Sequence, residues 1–261
     1  MGTYAAPRTP GVATSALSAA QVRALKGVRR IAMLTAYDYP TALALDEAGL
    51  DLILVGDSLG EVELGYPSTR WVTLEMMRHH VRAVRHGVSR THLVADMPAS
   101  TYRDADEAVA SARALVEAGA DSVKLEGALI PQVEAILAAG IPVMGHVGLL
   151  PQTAEDRRRH GKTPDEAEAI AQDAAALDAA GCYAIVIEAV VPDLASRITP
   201  RVGCPTIGIA AGGDCDGQVL VSTDLLGLLP DPPPFVKPKA DLRGVVQQVA
   251  RDFVSEVRNG A

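Results

Sequence analysis

This chain of 261 residues has few aromatic residues, few cysteines and no excess of positive charge. Aromatic residues make up 3% of the chain and hydrophobic residues 48%, so we expect a core of aliphatic side chains. The net charge of -8 does not provide the basic surface that a nucleic-acid partner requires. No run of about 18 apolar residues is present, and the sequence therefore predicts no membrane-spanning helix.

The cysteines are Cys182, Cys204 and Cys215. Their odd number and the lack of a C-x-x-C spacing argue against a disulfide framework and against a zinc cluster. We interpret them as small buried thiols. Residues 1–20 lack the apolar segment of a signal peptide, and we interpret them as a mobile N-terminal arm of a cytoplasmic protein.

Short apolar runs rich in β-formers recur along the chain, and each ends in a polar residue or glycine. They are residues 31–38, 52–58, 92–98, 122–127, 142–148, 184–189, 205–210 and 234–239. Alanine-rich segments with helical periodicity lie between them, a pattern typical of a parallel sheet covered on both faces. Eight strands in roughly 240 residues favour a closed (β/α)8 barrel over an open doubly wound sheet. We therefore predict one α/β barrel domain over residues 21–261.

Polar side chains stand at the ends of these runs. They are Asp57, Ser58, Asp96, Lys124, Glu126, His146 and Glu188. The carboxyl ends of barrel strands meet at one mouth, where the active sites of such barrels lie. The sequence therefore predicts that these side chains face a common pocket.

Several carboxylates in one pocket would repel each other unless a cation compensates them. Oxygen ligands without cysteine favour Mg²⁺ or another hard divalent ion. We predict Asp57 and Asp96 as its ligands, with Glu126 next. Such an ion would chelate a 2-oxo acid and stabilise an enolate as its charge develops.

The other strand-end residues suit the remaining steps of this chemistry. Lys124 and Ser58 could hold the substrate carboxylate. Glu188 could remove the proton alpha to the ketone, since its apolar neighbours in the sequence would raise its pKa. These assignments have structural alternatives. A strand-end aspartate often caps a helix, and Glu188 could simply cap the segment "PDLASRI" (192–198). Lys124 and Glu126 could form an ion pair, and His146 could be an ordinary hydrogen-bonded histidine.

Long motifs carry a resemblance to a known family. They are residues 34–84, "VKLEGA" (123–128), "GIPVMGHVGLLPQ" (140–152), "AIVIEAVVPDLASRIT" (184–199) and "CPTIGIAAGGDCDGQVLV" (204–221). From about residue 25 to 242 the chain resembles the ketopantoate hydroxymethyltransferases. The resemblance implies a barrel of the phosphoenolpyruvate mutase/isocitrate lyase type. It also implies Mg²⁺-dependent transfer of a one-carbon unit from 5,10-methylenetetrahydrofolate to 3-methyl-2-oxobutanoate, and a homo-oligomer, a decamer built as a pentamer of dimers.

The resemblance assigns roles to the same strand-end residues, position by position. The implied metal residues are Asp57, Asp96 and Glu126. The implied substrate-binding residues are Ser58, Lys124 and His146. Glu188, in "VIEA", is the implied proton acceptor.

The chain departs from the family pattern at the rim of the pocket. A glycine-rich lid usually follows "GLTPQ", whereas this chain has Leu150 in that motif and then "TAEDRRRHGKTPDE" (153–166). Ala99 replaces an aromatic residue. These changes are compatible with a relative that acts on a different, bulkier 2-oxo acid.

Two other functions compete with this interpretation. One is a folate-independent lyase, aldolase or mutase of the same superfamily, but such enzymes use a lid cysteine, and no cysteine precedes Cys182 here. The other is a non-catalytic barrel that serves as a binding module. The complete set of metal-compatible strand ends makes it the least favoured.

Overall fold

The computed structural model describes residues 16–260. They divide into two compact units, of which the first ends at Val219 and the second begins at Leu220. Most of the predicted N-terminal arm lies outside the described residues, and its last two residues, Ala19 and Ala20, already belong to the first helix. Ser18 caps that helix in a capping box with Gln21.

Eight strands form a closed barrel in which each strand pairs with the next along the chain. The strands are β1 (Ile31–Thr35), β2 (Leu52–Val55), β3 (His92–Asp96), β4 (Ser122–Lys124), β5 (Val143–Gly148), β6 (Ala184–Glu188), β7 (Thr206–Ile209) and β8 (Gly217–Leu220). The paired strands from β1 to β8 are parallel. The predicted (β/α)8 barrel is therefore confirmed.

Helices follow most of the strands. The helices among the described residues are α1 (Ala19–Arg23), α2 (Tyr39–Glu47), α3 (Leu59–Val62), α4 (Leu74–Gly87), α5 (Ala105–Ala118), α6 (Ile130–Ala138), α7 (Pro164–Ala180), α8 (Pro192–Ile198), α9 (Ser222–Leu225) and α10 (Leu242–Asn259). Side chains of Asp38, Thr73, Asp104 and Thr163 cap α2, α4, α5 and α7. Such capping satisfies N–H groups that have no partner inside a helix.

The core consists of two apolar layers, one inside the barrel and one between the strands and the helices. Side chains that alternate along each strand contribute to both layers. In β2, Leu52 and Leu54 belong to the inner cluster, whereas Ile53 and Val55 pack in the outer one, which includes the helices. Successive side chains point to opposite faces of a strand, so a continuously apolar strand can serve both layers. The three cysteines are free and buried, as predicted.

The prediction that residues 234–239 form the eighth strand was wrong. Residues 234–239 form a turn and irregular chain, and β8 lies earlier, at Gly217–Leu220. Pro233, Pro234 and Pro238 lack the N–H that a strand ladder needs. In β8, a Cβ on Gly217 would stand 2.6 Å from the carbonyl oxygen of Ile31, so the barrel closes through a glycine that a search for β-formers overlooks.

The second unit contains the short α9 and the long α10. Valines and a phenylalanine on α10 are exposed. Within the described residues, no helix has both the length and the apolar composition needed to cross a membrane.

Candidate functional site

The first unit brings all seven predicted residues to the carboxyl ends of β2 to β6. Asp96, Lys124 and Glu188 are the last residues of their strands, and His146 lies within β5. Asp57 and Ser58 lie just beyond the end of β2, and Glu126 lies just beyond the end of β4. Asp57, Asp96, Lys124, Glu126 and His146 are buried. A shared location at strand ends was the basis of the prediction, and it follows from the parallel register.

Lys124 is the central cation of the site. Its ammonium nitrogen lies 2.8 Å from Oδ1 of Asp96 and 3.3 Å from Nδ1 of His146. Asp96 is the register neighbour of Lys124 on the adjacent strand, so the ion pair crosses from β3 to β4. Burial alone would lower the pKa of Lys124, but Asp96, Glu126 and Asp57 outweigh it and raise that pKa, so the side chain is charged.

His146 connects Lys124 to Glu188. Since an ammonium only donates, Nδ1 of His146 accepts from Lys124, and the proton of the neutral ring is then on Nε2. That Nε2 lies 3.2 Å from Oε2 of Glu188, although the pair is not aligned as a hydrogen bond. Burial, and next the charge of Lys124, lower the pKa of His146 and keep the imidazole neutral.

The carboxylates of the site differ in pKa and in exposure. Burial, and next the charge of Asp96, raise the pKa of Asp57 to about 7. Burial, and next the charge of Asp57, raise the pKa of Glu126 to about 9. The side chain of Glu188 is 21% exposed, against 5% for Asp96 and 4% for Glu126. Glu188 is therefore the carboxylate that a molecule in the mouth reaches most easily.

Strained backbone surrounds the same mouth. Ser100, Ala189 and Ala210 have φ angles of 66°, 47° and 53°, in the left-handed region that non-glycine residues rarely adopt. Ala189 directly follows Glu188 and the other two come shortly after β3 and β7. Each such residue costs about 1–3 kcal/mol, and strain of this kind clusters at functional sites.

Three residues that the sequence prediction missed hold the site in place. Gln152 donates from Nε2 to Oδ2 of Asp57 at 2.8 Å, and its own side-chain oxygen accepts from the hydroxyl of Tyr102. The hydroxyls of Tyr37 and Ser58 are 2.8 Å apart. None of the three ends a strand of the prediction. Tyr37 and Gln152 lie inside the quoted motifs, which could have drawn attention to them, whereas Tyr102 lies outside those motifs.

Two of the structural alternatives do not describe this arrangement. The carboxylate of Asp57 accepts from Gln152, and the N-cap position of α3 is occupied by Ser58 without a side-chain capping bond. Lys124 forms its ion pair with Asp96. The contacts thus match neither a helix cap formed by Asp57 nor an ion pair between Lys124 and Glu126.

The acidic residues suit a divalent cation that takes few protein ligands. Four carboxyl groups face one ammonium: Asp57, Asp96, Glu126 and Glu188 against Lys124. Among residues 16–260, no group of three or more histidine, cysteine, aspartate or glutamate side chains is arranged to hold a metal ion. Mg²⁺ commonly binds through one or two carboxylates and completes its shell with water and substrate oxygens. The residues therefore fit Mg²⁺, and they do not form a closed protein cage.

The segment that follows Gln152 is anchored at the rim of the barrel mouth. The guanidinium of Arg70 donates to the carbonyl oxygen of Ala154, and Arg157 forms an ion pair with Glu61. The backbone N–H of His160 donates to the carbonyl oxygen of Ala189 at 2.8 Å. The segment thus reaches the residue next to Glu188.

Comparison with known proteins gives concordant results. The family model described as ketopantoate hydroxymethyltransferase matches residues 16–261. The 3-methyl-2-oxobutanoate hydroxymethyltransferase of Oleidesulfovibrio alaskensis is 50% identical over 255 residues, with 95% of this chain and 88% of that protein covered. The family resemblance seen in the motifs is thereby confirmed.

Solved structures share the fold at low sequence identity. A phosphoenolpyruvate phosphomutase from Streptomyces platensis subsp. rosaceus aligns with a TM-score of 0.63 and 17% identity over 94% of this chain and 88% of its own. A 2,3-dimethylmalate lyase, a member of the PEP mutase/isocitrate lyase superfamily, aligns with a TM-score of 0.62 and 17% identity over 94% and 89%. These structures therefore share the barrel fold of this chain.

Proposed function

Because the chain belongs to the ketopantoate hydroxymethyltransferase family, we propose that it transfers a hydroxymethyl group to 3-methyl-2-oxobutanoate or a close 2-oxo acid. The one-carbon donor in this proposal is 5,10-methylenetetrahydrofolate, and the metal is Mg²⁺ or another hard divalent ion. The observation that carries the proposal is the chain of contacts from Asp96 through Lys124 and His146 to Glu188. It joins a carboxylate-binding cation to an accessible base.

Asp57 and Asp96 would hold the metal, with Glu126 behind them. A bound Mg²⁺ would polarise the oxygens of the keto acid and so make the C3–H bond more acidic. Lys124 uses two of its three N–H donors on Asp96 and His146. We assign the third to the substrate carboxylate, together with the hydroxyl of Ser58.

Glu188 is the general base of the proposal. It accepts the proton from C3 of the keto acid, and C3 bonds to the methylene carbon as that carbon loses its bond to one folate nitrogen. Water then displaces the second folate nitrogen, so that its oxygen becomes the hydroxyl group. The proton taken by Glu188 and one proton of the water end on the two nitrogens of the released tetrahydrofolate. Nε2 of His146 lies 3.2 Å from Oε2 of Glu188, and we assign it to orient that carboxylate when substrate binds.

The rim supports a broader choice of substrate than 3-methyl-2-oxobutanoate alone. Ala99 is partly buried just beyond β3, where relatives carry an aromatic residue. The space that a missing ring leaves would admit a longer side chain on the keto acid. We therefore include bulkier 2-oxo acids among the proposed substrates.

The test is a panel of 2-oxo acids incubated with 5,10-methylenetetrahydrofolate and Mg²⁺, with products identified by mass spectrometry. We expect a hydroxymethylated acid and tetrahydrofolate in a 1:1 ratio, and no product after chelation of the metal. Cleavage of the keto acid without tetrahydrofolate release would instead favour the folate-independent lyase. The absence of any turnover would favour a binding module.

We further propose a cytoplasmic homo-oligomer, with a decamer as the expected state. The support is the family resemblance over nearly the whole chain. Light scattering coupled to size-exclusion chromatography would measure the mass in solution. A monomeric mass would contradict the proposal.

A further inference from the structure

The side-chain amide of Gln152 uses all of its polar groups inside the protein. Its Nε2 donates to Oδ2 of Asp57 at 2.8 Å and to the carbonyl oxygen of Met97 at 2.9 Å. Its Oε1 accepts from the hydroxyl of Tyr102. Gln152 is buried, so water does not compete for these bonds.

Gln152 also contacts a second acidic residue of the site. Its backbone N–H donates to Oε2 of Glu126 at 3.0 Å. Gln152, in the loop after β5, therefore contacts both Asp57, in the loop after β2, and Glu126, in the loop after β4. Tyr102, which comes after β3, completes a crosslink among four loops of the barrel mouth.

The hydroxyl of Tyr102 and the carbonyl oxygen of Met97 together set which way the amide points. An amide can rotate by half a turn and exchange its NH₂ group with its oxygen at little cost in shape. After such a rotation, Oε1 of Gln152 would face Oδ2 of Asp57, and two acceptors would oppose each other. The Tyr102 hydroxyl opposes this rotation because it needs an acceptor, and burial raises its pKa so that it keeps its proton.

We propose that Tyr102 and Gln152 are positioning residues: the Tyr102 hydroxyl fixes the Gln152 amide, which orients the carboxylates of Asp57 and Glu126 for the divalent cation. The inference rests on the metal site of the proposed function. It does not depend on the identity of the one-carbon donor or of the keto acid. Neither residue touches the reacting atoms in this assignment.

A suitable experiment measures Mn²⁺ binding by electron paramagnetic resonance, with Mn²⁺ as a probe for Mg²⁺. We expect Tyr102→Phe to weaken Mn²⁺ binding by about 10- to 100-fold, the range for residues that orient metal ligands. The rate at saturating metal should recover most of the wild-type value. The matched control is Tyr183→Phe, which removes a buried hydroxyl bonded to Ser122 at 2.9 Å and should leave Mn²⁺ affinity unchanged.

A second variant tests whether Tyr102 acts through Gln152. Gln152→Met preserves much of the volume and removes the amide, and it should weaken Mn²⁺ binding at least as much as Tyr102→Phe. The double variant that combines Tyr102→Phe with Gln152→Met should bind Mn²⁺ as weakly as Gln152→Met alone. Equal losses in Tyr102→Phe and Tyr183→Phe, unchanged affinity in Tyr102→Phe, or multiplicative losses in the double variant would each overturn the inference.

The outcome separates this inference from the proposed function. Wild-type protein that binds Mn²⁺ but makes no hydroxymethylated product would overturn the proposed reaction, and the effect of Tyr102→Phe on binding would still support the positioning role. Wild-type protein that binds no Mn²⁺ would overturn both the metal assignment and this inference.

Discussion

Buried polar side chains occupy both ends of the barrel interior, and the two sets differ in charge and in hydrogen bonding. At the amino ends of the strands, Nε2 of His92 is 2.8 Å from Oγ of Ser122, which is 2.9 Å from the hydroxyl of Tyr183. Nδ1 of His92 is 2.7 Å from the carbonyl oxygen of Leu17. Burial lowers the pKa of His92 and raises that of Tyr183, so this set is neutral.

The set at the carboxyl ends is charged and incompletely bonded. Among the described residues, Nε2 of His146 is buried without an aligned hydrogen bond, and Oδ1 of Asp96 is paired with the ammonium of Lys124. A neutral network that satisfies its own members stabilises a fold, whereas unsatisfied buried groups call for a ligand. The contrast in charge supports the proposal that the carboxyl ends of the strands form the binding site.

The largest expected effect is at Glu188. Glu188→Gln keeps the shape of the side chain and removes its basicity, so exchange of the C3 proton of the keto acid into D₂O should fall by about 10²- to 10⁴-fold. Proton NMR without folate measures it. Glu75→Gln, on the exposed surface of α4, is the control. Exchange at the wild-type rate in Glu188→Gln would mean that another group is the base, and His146 would be the next candidate.

The next effect concerns the metal. Asp96→Ala should reduce Mn²⁺ affinity by at least about 100-fold, the upper end of the range for residues that only orient ligands, while the protein stays folded by circular dichroism. Asp46→Ala is the matched control, because Asp46 is a buried carboxylate that accepts from the N–H groups of Ser89, Arg90 and Thr91. It should lower stability and leave Mn²⁺ affinity intact. Full activity in Asp96→Ala would contradict the ligand assignment.

A smaller effect should appear in the pH dependence. Protons compete with the metal for Asp57 and Glu126, whose pKa values are raised to about 7 and about 9. Mg²⁺ affinity should therefore rise with pH across this window and level off above about 9. Calorimetric titrations from pH 6 to 10 measure it, and a flat profile would contradict the competition.

The same two groups predict the opposite trend for the stability of metal-free protein. Between their ordinary acidic range and their raised pKa values, the folded state binds more protons than the unfolded state. The free energy of unfolding should then decrease as pH rises through that window. Saturating Mg²⁺ should flatten the decrease, which thermal unfolding at several pH values would record.

The smallest effect on the site is expected from a substitution at the amino ends of the strands. Ser122→Ala leaves His92 and Tyr183 without their shared partner, which should lower the free energy of unfolding by about 1–3 kcal/mol. Urea unfolding measures this loss. Mn²⁺ affinity and proton exchange should stay at wild-type values, and a tenfold loss of either in folded protein would show that the two ends are coupled.

The sequence by itself determined the barrel and the strand-end residues of its mouth. Continuous apolar strands that alternate with helices require a parallel sheet, and the carboxyl ends of parallel strands meet on one side. Asp57, Asp96, Lys124, Glu126 and Glu188 were therefore predictable from position alone. The long motifs added the family, which the matches along nearly the whole chain confirm.

Only the tertiary structure decided which groups are partners and where the barrel closes. Strand register pairs Lys124 with Asp96, although Glu126 is nearer along the chain. Gln152 and Tyr102 lie on loops after different strands, and contacts between loops leave no periodic signal in a sequence. The last strand depends on the close approach of Gly217 to β1, which the neighbouring backbone imposes and no side-chain preference reveals.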